Sequence, residues 1–235
     1  MKNYSISLPS YSIGDNVYDK ICEICLPFGK KAICIGGKTA ISKGKDLIIE
    51  ACCGSELEIL DFLWYGGDAT YENVKKLEEN ELVKKADIIF GIGGGKALDT
   101  AKALAFKTGK NIFTFPTIAS NCAGTTAVSI MYNDDGSFKE PFFFTAPPRH
   151  CFIYTPVIAK SPAKFMWAGI GDTYAKYFEA EMSSRGEDLV HYHALGVTTS
   201  QMCLTPLLKY GKKALEDFKS GTASFEVEQV VLDIV

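Results

Sequence analysis

Strand-like and helix-like segments alternate along the first half of this sequence, and this alternation constrains the fold more than any single residue does. The apolar runs "KAICIGG" and "DIIFGIG" are each followed by a helix-like stretch, "KTAISKGKDLIIEAC" and "KALDTAKALAFKTG". Repeated units of this kind favour a parallel sheet that is covered by helices on both faces. We therefore predict an α/β fold with an N-terminal Rossmann-like parallel sheet.

The same reading predicts the remaining elements. We expect further strands at 4–8, 57–65, 111–117 and 150–156, and further helices at 14–29 and 70–86. The segment "AVSIMYNDDGSFKEPFFFTAP" indicates a hairpin around Asp135 and Gly136. Helical periodicity dominates after it. We expect a dinucleotide-binding α/β domain over 1–157, followed by an incomplete all-helical domain over 158–235 that carries the metal and substrate site.

Composition excludes several classes of partner. A chain of 235 residues that is 47% hydrophobic can bury a large core, and a net charge of −3 without Lys/Arg clusters argues against nucleic acid and acidic membranes. We find no apolar run of membrane-spanning length and no secretory signal pattern, so we predict a cytoplasmic protein. The eight cysteines are expected to be free thiols. Cys22 and Cys25 have C-x-x-C spacing, but no second pair supports a zinc knuckle.

Three consecutive glycines, Gly93, Gly94 and Gly95, lie where a predicted strand gives way to a helix. Glycine lets backbone N–H groups approach a ligand closely, and the following helix points its positive end at the same place. Such a turn is suited to bind phosphate. The formal G-x-G-x-x-G fingerprint is not met, because Lys96 occupies the third glycine position. A tight turn without a ligand remains the alternative.

Asp172 is the acidic residue of the helical half with the most unusual surroundings. It lies in "AGIGDTYAKYFEA", among small and apolar residues and after two glycines that lower helix stability. A carboxylate in such a segment needs a partner. One reading is an ion pair with Lys176, one helical turn on. The other is a functional role at a site.

Four blocks together resemble the glycerol dehydrogenase branch of the metal-dependent (iron-containing) alcohol dehydrogenase family: "GIGGGKALDTAKALA", "FPTIASNCAGTTAVSIMYNDDGS", "YTPVIAKSPAKF" and "AGIGDTYAKYFEAE". They occur in family order and with family-like spacing. The resemblance implies a nucleotide-binding sheet domain, an all-helical domain and an active site between them. It also implies hydride transfer between a nicotinamide coenzyme, NAD or NADP, and a small polyol, assisted by a divalent metal, zinc or iron.

Carried over residue by residue, the resemblance implies a coenzyme site and one metal ligand. The pyrophosphate would lie on Gly93, Gly94, Gly95, Lys96 and Ala97. The adenosine and ribose would lie along Thr117, Ile118, Ala119 and Ser120, and the nicotinamide near Thr126, Val128 and Tyr132. Asp172 would be a ligand of the catalytic metal.

Cys122 departs from the family pattern at the substrate end. Glycerol dehydrogenases carry an Asp at the matching position, which contacts the substrate, whereas this chain has a neutral thiol. The change removes an acceptor for polyol hydroxyls and also removes repulsion toward a carboxylate. A 2-hydroxycarboxylate (2-oxo acid) dehydrogenase is therefore an alternative. An alternative of another class is a catalytically inactive nucleotide-binding module that lacks the metal half.

Two further departures concern the coenzyme and the metal. NAD-using members often place an Asp after the second strand, where this chain has Gly37 followed by Lys38, so we expect NADP to be accepted at least as well as NAD. The family continues beyond the length of this chain, and its two metal-binding histidines lie in that part. His150, His191 and His193 stand in other contexts. If these 235 residues are the whole protein, we expect weak metal binding from Asp172 alone and no dehydrogenase turnover. We leave a homo-oligomer open.

Overall fold

A six-stranded parallel sheet forms the centre of the computed structural model, which describes residues 5–235. Its strands are β1 (Tyr11–Gly14), β2 (Lys31–Gly36), β3 (Glu58–Trp64), β4 (Ile88–Gly93), β5 (Asn111–Pro116) and β8 (His150–Tyr154). Across the sheet they lie in the order β1-β8-β5-β4-β2-β3. All six residues of β4 are buried, as expected for a central strand that is covered on both faces. The predicted α/β class is confirmed.

The order of the strands creates a crevice at one place. From β2 the chain adds β3 on one side, and then returns to add β4 on the other side. The connections that follow β2 and β4 therefore diverge, and a crevice opens between them at the carboxyl ends of the strands. Helices α2 (Lys38–Cys52) and α5 (Gly95–Thr108) begin at this crevice.

Two apolar clusters cover the faces of the sheet. The first packs α1 (Ile21–Cys25) and α2 against a row of aromatic side chains that includes Phe90, Phe113 and Phe115. The second packs α3 (Tyr71–Glu78), α4 (Glu81–Lys85) and α5 against the other face. The two layers of helices hold the strand ends, and hence the crevice, in a fixed geometry.

A separate antiparallel ribbon follows β5. It consists of β6 (Val128–Tyr132) and β7 (Phe138–Phe143), with Gly136 at a φ of 82° in the turn between them. The predicted hairpin is therefore present. The ribbon is not hydrogen-bonded into the six-stranded sheet, and β6 packs on α5 instead.

Helices make up the remainder of the chain, as predicted: α6 (Thr155–Ala159), α7 (Ala163–Ser183), α8 (His191–Ser200), α9 (Thr205–Lys219) and α10 (Phe225–Ile234). A third apolar cluster joins them to the sheet, because Cys151 and Ile153 of β8 pack with Met166, Val230 and Ile234. The boundary we propose at 157/158 falls inside α6. Among the described residues, no helix is both long enough and apolar enough to cross a bilayer.

Three predicted elements differ from the structure. Part of the strand predicted at 4–8 lies outside the described residues; residues 5–8 have no regular structure, and the strand is β1, which pairs with β8. The helix predicted at 14–29 is two 3-10 turns around the short α1. The helix α1 ends at Cys25, because Pro27 cannot donate the next helical hydrogen bond. The helix predicted at 70–86 divides into α3 and α4 because the side chain of Asn80 caps Leu82 N at 2.8 Å.

Candidate active site

A cleft of about 1580 Å³ opens at the carboxyl ends of the strands, between the sheet and the helical part of the chain. Most of the predicted site residues line it, from both sides. They are Gly37, Lys38, Gly93, Gly94, Gly95, Lys96, Ala97, Thr117, Ile118, Ser120, Cys122, Thr126, Val128, Tyr132 and Asp172. The structure therefore brings the glycine turn and the acidic residue of α7 into one cavity.

The glycine turn forms a cradle that larger residues would fill. Gly93 has a φ of 143°, which side chains rarely adopt. A Cβ on Gly94 would lie 2.5 Å from Ile118 Cδ1, and one on Gly95 would lie 2.6 Å from Asn121 Nδ2. Among the described side chains, none caps the start of α5. The helix N-terminus thus faces the cleft, which is the arrangement that suits a pyrophosphate.

Lys96 follows this turn but is already paired. Its Nζ lies 2.6 Å from Asp68 Oδ2 and 4.5 Å from the centre of the Tyr132 ring. The hydrogen bond from Lys96 to Asp68 raises the pKa of Lys96 above its ordinary value, so the ammonium stays charged at neutral pH. No local sequence pattern indicates this pairing, because Asp68 and Lys96 are 28 residues apart along the chain. A pyrophosphate on the turn would meet a lysine whose charge is partly balanced.

Gly37 and Lys38 lie at the start of α2, on the opposite side of the crevice from the glycine turn. Gly37 is the N-cap residue and has an extended conformation, with φ −76° and ψ 147°. Lys38 places its Nζ 4.7 Å from the centre of the Trp64 ring. Lys43, one turn further along α2, lines the same end of the cleft. Lys38 and Lys43 therefore bring positive charge to this end, where Asp46 also lines the cleft, and position 37 itself carries no carboxylate that would repel a 2′-phosphate.

Ala119 is an exception among the residues we assigned to the coenzyme. Its side chain is fully buried and packs with Met166 in the cluster that joins the helices to the sheet. Its carbonyl oxygen faces α7, where a Cβ on Gly169 would come within 2.6 Å of it. Ala119 thus sets the distance between α7 and the cleft wall, while its side chain points into the core.

Asp172, Lys176 and Cys122 meet at the other end of the cleft. Lys176 Nζ lies 3.1 Å from Asp172 Oδ2, so the ion pair that helical spacing suggests is present. Burial lowers the pKa of Lys176, but its interactions with Cys122 and Asp172 outweigh burial and hold that pKa above its ordinary value. The Asp172 side chain is half exposed to the cleft. The carboxylate can therefore pair with Lys176 and still contact a molecule or ion bound in the cleft.

The described residues do not by themselves complete a metal centre. They contain no group of three or more His, Cys, Asp or Glu side chains that could share an ion. His150 is buried and hydrogen-bonds Ser10 Oγ at 2.7 Å and Ser12 Oγ at 3.0 Å, and His191 and His193 begin α8. Catalytic zinc sites use three protein ligands. The carboxylate of Asp172 is of a ligand type that such sites use.

Comparison with known proteins gives a consistent assignment. The family model described as iron-containing alcohol dehydrogenase matches residues 9–151. A glycerol dehydrogenase of Thermotoga maritima is 35% identical over 171 residues, which cover 71% of this chain and 47% of the relative. A glycerol dehydrogenase of Escherichia coli O6:H1 is 28% identical over 225 residues, covering 94% and 61%.

The structural comparison agrees. The crystal structure of a probable glycerol dehydrogenase from Sinorhizobium meliloti 1021 superposes with a TM-score of 0.84 at 26% identity, covering 98% of this chain and 64% of that one. The chain spans about half to three fifths of the length of the curated relatives above. The match of the family model over more than half of the sequence, together with the shared fold, shows that this chain belongs to the iron-containing alcohol dehydrogenase family.

Proposed function

We propose that this protein is a dehydrogenase that transfers hydride between NAD(P) and a small polyol, with a divalent metal, zinc or iron, at the substrate. One observation carries the proposal: the glycine cradle and Asp172 line the same cleft. A coenzyme whose pyrophosphate lies on Gly93–Gly95 and whose nicotinamide lies beside β6 would extend toward Asp172. The bound coenzyme would supply the hydride acceptor, and the residues of the chain would bind and orient it.

The substrate class follows from the relatives and from the chemistry of the far end of the cleft. The relatives named above are glycerol dehydrogenases, so the 2-hydroxycarboxylate alternative and the inactive module are not favoured. Asp172 balances the positive charge of Lys176 there, so Lys176 does not by itself attract a substrate carboxylate. We therefore propose a small neutral polyol such as glycerol. The cytoplasmic location, the homo-oligomer and the two-domain division at 157/158 remain predictions.

The coenzyme part of the proposal is tested by titrating the protein with NADH and NADPH while reading coenzyme fluorescence. Gly93→Ala should weaken NADH binding by at least about tenfold, because Ala is strained at this φ and would crowd the cradle. Gly196→Ala is the matched control, because a Cβ at Gly196 meets no atom within 4 Å. Equal binding by both variants would reject the cradle as the coenzyme site.

The metal part is tested by calorimetric titration with Zn²⁺ and Mn²⁺, followed by turnover assays with glycerol and 2-hydroxybutyrate. Asp172→Asn should lower metal affinity by about tenfold, since the carboxylate charge is lost. Asp134→Asn, in the exposed turn of the ribbon, is the control. Coenzyme binding without turnover under any metal would favour the inactive module, and turnover of 2-hydroxybutyrate alone would favour the hydroxycarboxylate alternative.

A further inference from the structure

We propose that Lys102, together with Asp99, is a positioning residue that holds strand β6 in place as the wall of the cleft. The part of this inference that concerns the coenzyme rests on the proposed function. The mechanical part does not, because it concerns contacts within the chain alone. The Lys102 side chain does not line the cleft, so it acts on the cleft only by holding β6.

Strand β6 needs such support because of its place in the fold. It pairs with β7 in a two-stranded ribbon, and ribbons of this kind are marginally stable alone. The edge of β6 that faces away from β7 packs on α5, where a further strand would otherwise supply hydrogen bonds. On this edge the N–H of Tyr132 donates to the carbonyl oxygen of Ala69 at 2.9 Å, and the backbone groups of Val128 and Ile130 need partners from α5.

Lys102 and Asp99 supply these hydrogen bonds. Lys102 Nζ donates to the carbonyl oxygen of Val128 at 2.5 Å and to that of Thr126 at 3.3 Å. Asp99 Oδ2 accepts from the backbone N–H of Ile130 at 3.2 Å, and Ser129 Oγ donates to the carbonyl oxygen of Asp99 at 3.0 Å. Together these contacts, which we call the Lys102 clip, substitute for a neighbouring strand at Val128 and Ile130.

The clip satisfies two charges that would otherwise be costly to bury. Lys102 Nζ lies 3.0 Å from Asp99 Oδ1, and the two side chains are only 2% and 9% exposed. Lys102 has three N–H donors, and Asp99, Val128 and Thr126 accept them. A buried ion pair of this quality is stable only when such additional hydrogen bonds are present. The buried ion pair therefore needs the hydrogen bonds to β6, and β6 needs the ion pair to hold its position.

The strand that is held in this way forms one side of the cleft. Val128, Ile130 and Tyr132 line it at alternate positions along β6, and Thr126, two residues before the strand, lines it as well. A shift of β6 would move all four together, and a misplacement of about 1 Å at an active site can cost a large factor in rate. Loss of the Lys102 side chain, which does not line the cleft, should thus weaken coenzyme binding through the displacement of β6.

The test compares Lys102→Met with Ile48→Ala, which destabilises the core under α2 far from β6. Hydrogen exchange of the unliganded chain is measured by mass spectrometry, and NADH affinity by fluorescence. In Lys102→Met we expect faster exchange at 126–132 than elsewhere and NADH affinity lower by about tenfold. In Ile48→Ala we expect faster exchange spread through the core and little change in NADH affinity. Ser129→Ala, which removes one contact without leaving a buried charge, should show a smaller effect and serves if Lys102→Met does not fold.

The outcomes separate the clip from the proposed function. Faster exchange at 126–132 with weaker NADH binding supports both. Exchange in Lys102→Met and Ser129→Ala that rises uniformly, as in Ile48→Ala, would overturn the clip. A wild-type chain that does not bind NADH would reject the proposed function, while the exchange pattern would still decide whether Lys102 positions β6.

Discussion

At the scale of the residue, we expect the missing side chain at Gly37 to influence which coenzyme binds. It is the N-cap residue of α2, in an extended conformation that any residue adopts. A Cβ there would meet Tyr65 Cε1 at 3.6 Å, which is an ordinary contact. The position therefore has room for an Asp side chain, and with Gly there we expect Lys38, which lies over the Trp64 ring, to meet a 2′-phosphate.

Gly37→Asp should shift preference from NADPH toward NADH by at least about tenfold, because the new carboxylate repels the 2′-phosphate. Gly37→Asn is the matched control, since Asn caps the helix equally well without the charge. The measurement is the ratio of the two dissociation constants, read by coenzyme fluorescence. We expect the wild-type protein to bind NADPH at least as tightly as NADH. An equal change of this ratio in both variants would show that the charge of the carboxylate is not the cause.

Asp233 gives a second prediction at this scale. Its Oδ2 atom is buried without a hydrogen-bond partner among the described residues, and burial raises the pKa of Asp233 to about 7. The folded protein therefore keeps a proton that the unfolded chain, with an Asp pKa of about 3.9, releases earlier. By linkage, this group lowers the free energy of unfolding as pH rises from about 4 to about 7.

Asp233→Asn should remove this decline, because the amide does not ionise. Urea unfolding of both proteins at a series of pH values measures it. The two curves should differ little near pH 4, and the variant should be the more stable near pH 7. Parallel curves over the whole range would show that Asp233 does not titrate in this interval.

At the scale of the element, α7 connects the two halves of the cleft. It carries Asp172 and Lys176 on the side of the cleft, and Gly169 lies where the helix approaches both the 117–123 segment and α10. The sequence identified both glycines of this helix as unusual. Only the packing shows that a side chain would be excluded at one and accepted at the other. A Cβ at Gly169 would clash with neighbouring atoms, whereas a Cβ at Gly171 would meet no atom within 4 Å.

Gly169→Ala should therefore destabilise the protein by about 1–3 kcal/mol, because its Cβ would lie 2.6 Å from the Ala119 carbonyl oxygen and 2.9 Å from Ile234 Cγ2. Gly171→Ala should stabilise it by about 0.5–1 kcal/mol, since Ala is the better helix former and no atom lies within 4 Å. Chemical denaturation measures both. Stabilisation by both substitutions would show that α7 can move away from α10.

Elements were predictable where periodicity is local and strong. The strands β2, β4 and β5 and the helices α2 and α5 lie within a residue or two of their predicted limits. The errors at 14–29 and 70–86 arose where Pro27 and Asn80 interrupt a helical pattern of apolar residues. Strand β1 could not be located from its own residues, because pairing with β8, some 140 residues away, decides where it begins.

At the scale of the whole molecule, the cleft has one wall from the sheet and another from the start of the helical part. Lys160, Lys164 and Phe165 line it opposite the glycine turn. A ligand that binds there must order residues from both parts. The stability of the two parts should therefore be coupled through the coenzyme.

Saturation with NADH should raise the free energy of unfolding by about 2.7 kcal/mol at a free concentration one hundred times the dissociation constant. Hydrogen exchange should slow both at 93–97 and at 160–172, with 133–137 in the turn of the ribbon as an internal control. Protection limited to the sheet would mean that the coenzyme does not reach the helical wall.

The sequence by itself determined the order of strands and helices, the glycine turn and the isolated acidic residue, because hydrophobic periodicity and glycine act over a few neighbouring residues. The tertiary structure alone decided that Lys96 pairs with Asp68, that Ala119 turns into the core, and that Lys102 and Asp99 hold β6. These contacts join residues that are distant along the chain. Their existence depends on which surfaces meet when the sheet, the ribbon and the helices pack together, and no local pattern carries that information.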